Sequence, residues 1–167
     1  MKLDLKPLAR QPGQSLPFAC RLELSEDWQS GAQSIISPVQ VEGVVRNMAG
    51  ALLLSARLES TLSLTCDRCA TSFSRQQTTD YETLLAMELE DEERDDIVLL
   101  DKDGCLNLSE LMREVFLLNM DTKNLCSDHC KGLCPGCGVD LNRQPCRCKR
   151  EMDPRLSVLA RLLEQEN

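Results

Sequence analysis

The sequence predicts an α+β protein in which an antiparallel β-sheet, or a partly open barrel, carries a few helices and a small C-terminal module. Three observations predict this class: alternating apolar and polar residues in the first half, a helical apolar spacing in the second half, and six cysteines within positions 126–148. With 167 residues the chain suits one domain with an appendage. We therefore assign residues 1–121 to a β-rich body and residues 122–167 to a cysteine-rich module with a final helix.

Period-two patterns place the first strands of the body. Two short alternating segments, 3–5 and 18–24, precede a strand that begins at Val39 and ends near Arg46. The polar residues 26–37 are expected to form a loop. The body thus begins as a series of short strands joined by turns.

The strongest period-two signal follows a predicted turn at residues 47–50. From Leu52 to Leu64 the apolar side chains fall mainly on even positions, which indicates a long strand with one buried face. Residues 71–88 are expected to return as its antiparallel neighbour, and a helix over 84–89 is the alternative for the end of that segment.

Two amphipathic helices are predicted in the second half. Asn107 and Glu110 have the spacing of a capping box. The apolar residues that follow have helical spacing: Leu108, Leu111, Met112, Val115 and Leu118. Asp153 and Pro154 begin the last helix, whose apolar stripe is Leu156, Leu159, Leu162 and Leu163. Both stripes are expected to pack on the sheet, with docking of the last helix on a partner as the alternative.

The charge distribution is uneven. The net charge is −8, so the protein is not expected to bind nucleic acid through its whole surface. Residues 88–103 contain nine acids and two bases, whereas residues 122–150 contain six bases and two acids. We interpret the acidic run as a solvated loop, and a surface for a basic partner such as a ribosomal protein is the alternative.

The amino-terminal sequence and the apolar content predict a cytoplasmic protein. Residues 1–14 have no apolar run of signal-peptide length, and no stretch approaches the roughly 18 apolar residues of a membrane helix. Thiols stay reduced in the cytosol, which argues against disulfides among the ten cysteines.

The clustered cysteines predict a closed metal site of the zinc-ribbon type. Cys-Pro-Gly-Cys-Gly at 134–138 has the form of a turn that brings two sulfurs to one point, and a second pair follows it. The first choice of ligands is Cys134, Cys137, Cys146 and Cys148, with Cys130 and Cys126 as alternates. We expect one structural Zn²⁺ per chain, favoured over an iron–sulfur cluster. His129, the one histidine, is expected to be an exposed turn residue.

A further Cys-x-x-Cys pair, Cys66 and Cys69, has three interpretations. It is a reduced pair in a hairpin turn, a redox pair, or part of a second metal site for which Cys20 and Cys105 are the remaining partners. The strand-like sequence around it disfavours a thioredoxin-like centre. Cys20 and Cys105 themselves are expected to be ordinary small buried residues.

Several motifs of the chain occur together in one known family. In the tail they are CSDHCKGLCPGCG at 126–138, Asp140-Leu-Asn, the Cys146 and Cys148 pair, and Asp153-Pro-Arg. Upstream they are the strand end LTCDRC at 64–69 and the helix start LSEL at 108–111, with Glu114 after it. With these motifs the chain resembles the cysteine-bearing branch of the YceD family. The resemblance implies a bacterial cytoplasmic protein, without established enzymatic activity, needed for accumulation of 23S ribosomal RNA.

From the residues and the resemblance together we expect a non-enzymatic ribosome-biogenesis factor that supports synthesis, processing or stability of 23S rRNA. Its expected partners are large-subunit rRNA, pre-ribosomal particles or a basic ribosomal protein, with no membrane and no small-molecule substrate. With 3% aromatic residues, RNA contacts should go mainly to phosphates. The candidates for these contacts are Lys131, Arg143, Arg147, Lys149 and Arg150. The alternatives are a cytosolic thiol redox protein or sensor using Cys66 and Cys69, and a zinc ribbon that binds only protein.

Overall fold

The protein is built around one curled, half-barrel β-sheet in a computed structural model that describes residues 1–24, 33–87 and 97–148. The described elements, in chain order, are β1 (Lys2–Asp4), α1 (Lys6–Ala9), β2 (Ser15–Leu22), β3 (Gln33–Ile35), β4 (Val39–Met48), β5 (Ala51–Thr65), β6 (Ser72–Ala86), β7 (Ile97–Leu99), β8 (Cys105–Asn107) and α2 (Leu108–Leu118). The predicted class, mostly sheet with few helices, is confirmed. The predicted last helix and positions 88–96 of the acidic run lie outside the described residues.

The main sheet has the strand order β2-β4-β5-β6-β7, and β3 pairs with β5 beyond the end of β4. All of its pairs are antiparallel except β6 with β7, which is parallel. β5 and β6, each 15 residues long, form its central hairpin. A separate two-stranded sheet joins β1 to β8.

The hydrophobic core lies on one face of the main sheet. The even positions of β5 are buried from Leu52 to Leu64, so the predicted long strand with one buried face is confirmed. Helix α2 packs on this core through Leu108, Met112, Val115 and Phe116. The alternation along β5 therefore decides which side of the sheet the helix covers.

Two segments that were predicted to be loops contribute strands at the sheet edges. Gln33–Ile35 lies within the predicted loop 26–37, and Ile97–Leu99 lies within the acidic run 88–103. β-branched residues occur in both, and they fit the pleated, half-buried surface that an open sheet edge offers. The helical alternative for residues 84–89 is wrong as far as Ala86, because β6 continues to that residue.

The predicted face of α2 needs one correction. Leu118 is 85% exposed, and Phe116 is fully buried in its place. Positions 108, 112, 115 and 116 cluster around one direction at 100° per residue, whereas position 118 lies to the side of it. The predicted capping pair also differs in detail: the Asn107 Nδ2 donates to Glu110 Oε2 at 2.6 Å, and Asn107 caps no backbone N–H of the described helix.

Asn47, which was predicted to be part of a turn, is a buried tie between the sheet and α1. It is 2% exposed, and its Nδ2 donates to Leu8 O at 2.8 Å and to Ala9 O at 3.0 Å. Its Oδ1 accepts a bond from Gly50 N at 2.8 Å. One side chain thus holds both the end of α1 and the two-residue turn between β4 and β5.

Replacing Asn47 with Ala is expected to lower the free energy of unfolding by about 3 kcal/mol, because two carbonyls and one amide lose their partner. The measurement is urea unfolding of the purified protein. Asn119→Ala is the matched control: its exposed side chain makes one bond, to Val115 O at 2.8 Å, and its loss should cost less than about 1 kcal/mol. Equal losses in the two variants would contradict the role of Asn47.

Candidate metal centres

The Cys-x-x-Cys turn of the tail is held by two backbone hydrogen bonds. Cys134 N donates to Val139 O at 2.8 Å, and Gly138 N donates to Cys134 O at 2.8 Å. Gly138 has φ of +73°, a left-handed conformation that glycine adopts without strain. Leu133 and Asp140 close the turn with an antiparallel bridge. The turn therefore presents both of its sulfurs on one side.

The turn between β5 and β6 has the same hydrogen-bond pattern. Cys66 N donates to Thr71 O at 2.9 Å, and Ala70 N donates to Cys66 O at 2.8 Å. Ala70 takes the position of the tail glycine, with φ of +56°, which is uncommon for a residue with a Cβ atom. The Cys66 and Cys69 pair is thus a second turn of the same kind, held by the ends of the two longest strands.

The tail turn and the two cysteines after it form one four-sulfur group, called here the tail cluster: Cys134, Cys137, Cys146 and Cys148. All four Sγ atoms lie within 4.8 Å of one another. The Sγ of Cys146 is 3.1 Å from that of Cys134 and 3.6 Å from that of Cys137. Since a tetrahedral ion with Zn–S bonds of about 2.3 Å spaces its sulfurs about 3.8 Å apart, the tail cluster can hold one metal ion.

The other turn lies in a second four-sulfur group, called here the bridging cluster: Cys66, Cys69, Cys126 and Cys130. The Sγ atoms of Cys66 and Cys130 are 3.8 Å apart, and those of Cys69 and Cys126 are 3.6 Å apart. Its four Sγ atoms also lie within 4.8 Å of one another, so this group can hold a metal ion as well. It joins the predicted body to the predicted module.

The segment after α2 returns along β6 to the turn at 66–71. Arg75 Nη2 forms an ion pair with Asp121 Oδ2 at 3.0 Å. Asn124 is buried, and its backbone N donates to Asp67 Oδ2 at 2.6 Å while its O accepts a bond from Asp67 N at 2.8 Å. These contacts place the following cysteines beside the Cys66 and Cys69 pair.

Arg68 connects the same turn to the next part of the tail. Its backbone O accepts a bond from Leu133 N at 2.9 Å, and its Nη1 donates to Cys130 O at 3.0 Å. Gly132 crosses the turn so closely that a Cβ atom there would lie 3.0 Å from Arg68 O. The tail is thus packed against the β5–β6 turn by backbone contacts on both sides of Cys130.

Backbone amides stabilise one thiolate of the tail cluster. The amide of Cys137, the thiol of Cys146 and the amide of Gly136 together lower the pKa of Cys134 to about 6. The pKa of Cys148 is raised to about 12, chiefly by its hydrogen bond with the Cys137 side chain. One sulfur thus carries charge easily while a neighbour keeps its proton, and a divalent cation bound by all four would displace such protons.

The bridging cluster has the same asymmetry. Burial opposes ionisation of Cys66, but the amides of Cys126, Cys69 and Arg68 outweigh it and lower the Cys66 pKa to about 6. The pKa of Cys126 is raised to about 12, first by the hydrogen bond with the Cys69 side chain and then by burial. In both groups the first cysteine of the Cys-x-x-Cys turn is the one whose pKa is lowered, so its thiol ionises most easily.

The structure does not bring Cys20 and Cys105, the two cysteines left over as partners for a second site, to the Cys66 and Cys69 pair. Cys20 lies on β2 and Cys105 on β8; both are half-buried, and neither belongs to a four-sulfur group. Burial raises the pKa of each of these two thiols. Sequence reasoning treated Cys126 and Cys130 only as alternates for the tail site, whereas the structure places them with the distant pair. The available signal was the surplus of two tail cysteines over the four that one ion needs.

The other predicted residues are placed as follows. Within residues 1–24, 33–87 and 97–148 two groups can hold a metal ion, where one ion per chain was expected. His129 is exposed in a turn and belongs to neither group. Lys131, Arg143 and Arg147 are exposed, and Arg143 Nε is 3.4 Å from Asp140 Oδ2. Lys149 and Arg150 lie outside the described residues.

In the part of the chain that the structure describes, a curled, mostly antiparallel sheet has one four-cysteine group in its tail and a second shared between tail and sheet. These features define a β-rich protein with two potential tetrathiolate centres. The sequence model of the family described as "Large ribosomal RNA subunit accumulation protein YceD" matches residues 54–163, more than half of the chain. The chain belongs to the YceD family.

Two relatives illustrate the range of similarity. "Uncharacterized protein YlbN" of Bacillus subtilis (strain 168) is 26% identical over 172 residues, which cover 100% of this chain and 99% of the relative. "Large ribosomal RNA subunit accumulation protein YCED homolog 1, chloroplastic" of Arabidopsis thaliana is 34% identical over 61 residues, 36% of this chain and 19% of the relative. No solved structure gives a significant match. Within the described residues, no helix has the length and apolar character to cross a membrane.

Proposed function

We propose that this protein is a non-enzymatic ribosome-biogenesis factor of the bacterial cytoplasm that supports synthesis, processing or stability of 23S rRNA. The observation that carries the proposal is the match of residues 54–163 to a family described by accumulation of the large ribosomal RNA subunit. The name of the Arabidopsis thaliana relative supports the same role. Association with large-subunit rRNA or pre-ribosomal particles, directly or through a basic ribosomal protein, is the activity to test.

The tail cluster is proposed to hold a structural Zn²⁺. Four thiolates suit this ion, and four protein ligands leave no position for a reacting water, as in closed structural sites. When bound, Zn²⁺ would supply the positive charge that offsets the repulsion among four neighbouring thiolates. The chain's own amides, Gly136 N to Cys134 Sγ at 3.4 Å and Cys148 N to Cys146 Sγ at 3.1 Å, orient two of these ligands.

RNA contact is proposed for the exposed basic side chains of the tail. A Zn²⁺ with four thiolates carries a net charge of about −2, so the tail as a whole offers little positive charge to a phosphate backbone. The contacts must therefore come from individual guanidinium and ammonium groups that project from it. Lys131 and Arg147 are exposed and have no ion pair among the described residues, which leaves both charges available.

Replacing Lys131, Arg143, Arg147, Lys149 and Arg150 with Ala is expected to weaken binding to large-subunit rRNA and to flatten its salt dependence. Each lost phosphate contact should reduce the slope of log K against log salt by about 0.7–0.9, so five contacts would reduce it by about 4. The measurement is an rRNA-fragment titration at several salt concentrations.

The matched control removes five exposed bases of the body: Lys2, Arg10, Arg21, Arg46 and Lys102. It changes the net charge by the same amount, so a general charge effect would appear in both variants. Equal slopes for the tail variant and the unaltered protein would contradict RNA contact by these residues. Crosslinking to ribosomal proteins without rRNA would instead favour a zinc ribbon that binds only protein.

A thiol redox role for Cys66 and Cys69 is the second candidate, and the lowered pKa of Cys66 favours it. The side chains are poorly placed for exchange with a partner, because Cys66 is 2% exposed and Cys69 is 6% exposed. Alkylation kinetics of the protein as purified, together with its metal content, separate the two roles. Rapid modification of Cys66 with no bound metal would support the redox role and contradict a structural one.

A further inference from the structure

We propose that the bridging cluster is a second metal site, in which Cys66, Cys69, Cys126 and Cys130 bind one Zn²⁺ as four thiolates and thereby fasten the tail to the sheet. This site is distinct from the tail cluster and does not depend on any role in ribosome assembly. Its ligands come from two distant parts of the chain, so the bound ion ties residues that a linear motif does not connect.

The first argument is the preformed turn at Cys66. Its two backbone hydrogen bonds match those of the tail turn one for one, including the left-handed residue after the second cysteine. Ala70 adopts this conformation although it has a Cβ atom, and such a conformation is uncommon for a residue other than glycine. The surrounding contacts must therefore hold the turn in this form. A turn of this form brings two sulfurs to one point, as a tetrahedral ion needs from a Cys-x-x-Cys pair.

The second argument is the spacing of the four sulfurs. Both measured distances, 3.8 Å for Cys66 to Cys130 and 3.6 Å for Cys69 to Cys126, match the edge of about 3.8 Å for one tetrahedral ion. A disulfide would require about 2.05 Å. A cluster of several irons distributes the four cysteines over at least two iron atoms and would hold sulfurs on different irons farther apart. The geometry therefore suits a single ion.

The third argument is the set of contacts around the ligands. Asn142 Nδ2 donates to Cys130 Sγ at 3.4 Å, and its Oδ1 accepts a bond from Lys131 N at 2.8 Å. The Arg68 guanidinium donates to Cys130 O, so a positive charge lies beside a group that would carry a net charge of about −2. Such outer contacts orient metal ligands and raise affinity. Asn142 lies in the segment between Cys137 and Cys146, so its bond to Cys130 also connects the bridging cluster to the tail cluster.

The ion has a mechanical role because the tail has little core of its own. Among the described residues of 122–148, the buried side chains are Asn124, Cys130 and Cys134. The cysteine partners are 57 and 64 residues apart in the chain, and closing loops of this length costs entropy that a strong ligand bond can offset. Metal binding at this site would therefore decide whether the tail stays on the β5–β6 turn.

The test is the metal content of the purified 167-residue protein, measured by mass spectrometry with alkylation of free thiols. The unaltered chain is expected to hold two Zn²⁺. The double variants C66S/C69S and C126S/C130S should each hold one, and the quadruple variant that combines them should still hold one, because all four residues serve the same ion. The control C20S/C105S should hold two.

Alkylation gives a second readout. In C66S/C69S, Cys126 and Cys130 should become reactive while the tail cluster stays protected. If C66S/C69S does not fold, the single variant C126S replaces it, since Cys126 is exposed; its second Zn²⁺ should bind more than about 100-fold more weakly. Two equally tight ions in C126S, one ion in the unaltered chain, or iron in this site would overturn the proposal. Because rRNA is absent from these measurements, they leave the ribosomal role to its own test.

Discussion

Removing bound metal with a strong chelator is expected to release the tail while the sheet remains folded. Structural zinc sites contribute about 10–16 kcal/mol of apparent binding free energy, far more than the few contacts of the tail can replace. The core of the sheet contains no cysteine of either cluster, so it should keep its β-sheet circular dichroism signal. Trypsin should then cleave at Lys123, Lys131 and Arg143, whose side chains are exposed but whose backbone the docked tail holds in a fixed conformation.

The cysteines provide an internal control for this experiment. Cys20 and Cys105 are half-buried and belong to neither cluster, so their alkylation should not depend on the chelator. The eight cluster cysteines should react only after metal removal. Reaction of all ten before chelation would contradict metal binding by both clusters, and so would disulfides found in their place.

Truncating Phe116 to Ala is expected to destabilise the protein by about 3–5 kcal/mol, the usual cost of removing a buried aromatic ring. The ring is fully buried at the contact of α2 with the sheet, and the helix also leads into the tail. The measurement is the free energy of unfolding in urea, with saturating zinc so that metal loss does not add to the effect.

Leu118→Ala is the matched control, because Leu118 is on the same helix and is 85% exposed. Its removal should change the free energy of unfolding by less than about 0.5 kcal/mol. A larger loss for Leu118 than for Phe116 would mean that the helix is rotated so that Leu118 faces the sheet, as the sequence pattern predicted.

Elements with a clear periodicity were predictable from the sequence. From Leu54 to Leu64 the even positions of β5 are apolar except Ser60 and the odd positions are polar, and that pattern identifies the strand and its buried face without any tertiary information. The short edge strands β3 and β7 were missed, because three residues are too few for a period and their pairing depends on what the neighbouring strand leaves open. The burial of Asn47 was missed for a similar reason: its partners, Leu8 and Ala9, come from another part of the chain.

The tail cluster could be proposed from local spacing, because all of its ligands lie within 15 positions of the chain, 134–148. The bridging cluster could not, because its two halves are more than fifty residues apart. The tail has six cysteines, two more than one tetrahedral ion binds, but this count does not show which residues the other two contact. The return of residues 119–124 along β6 answers that question, through contacts such as Arg75 with Asp121.

The sequence by itself determined the β-rich class, the long central strand and the presence of thiols spaced for a metal, because each of these depends on periodicity or spacing between near neighbours. Only the tertiary structure decided how eight cysteines divide into two groups of four. The physical reason is that a tetrahedral ion selects sulfurs by their distance in space, and that distance is set by how the chain folds back on its own sheet.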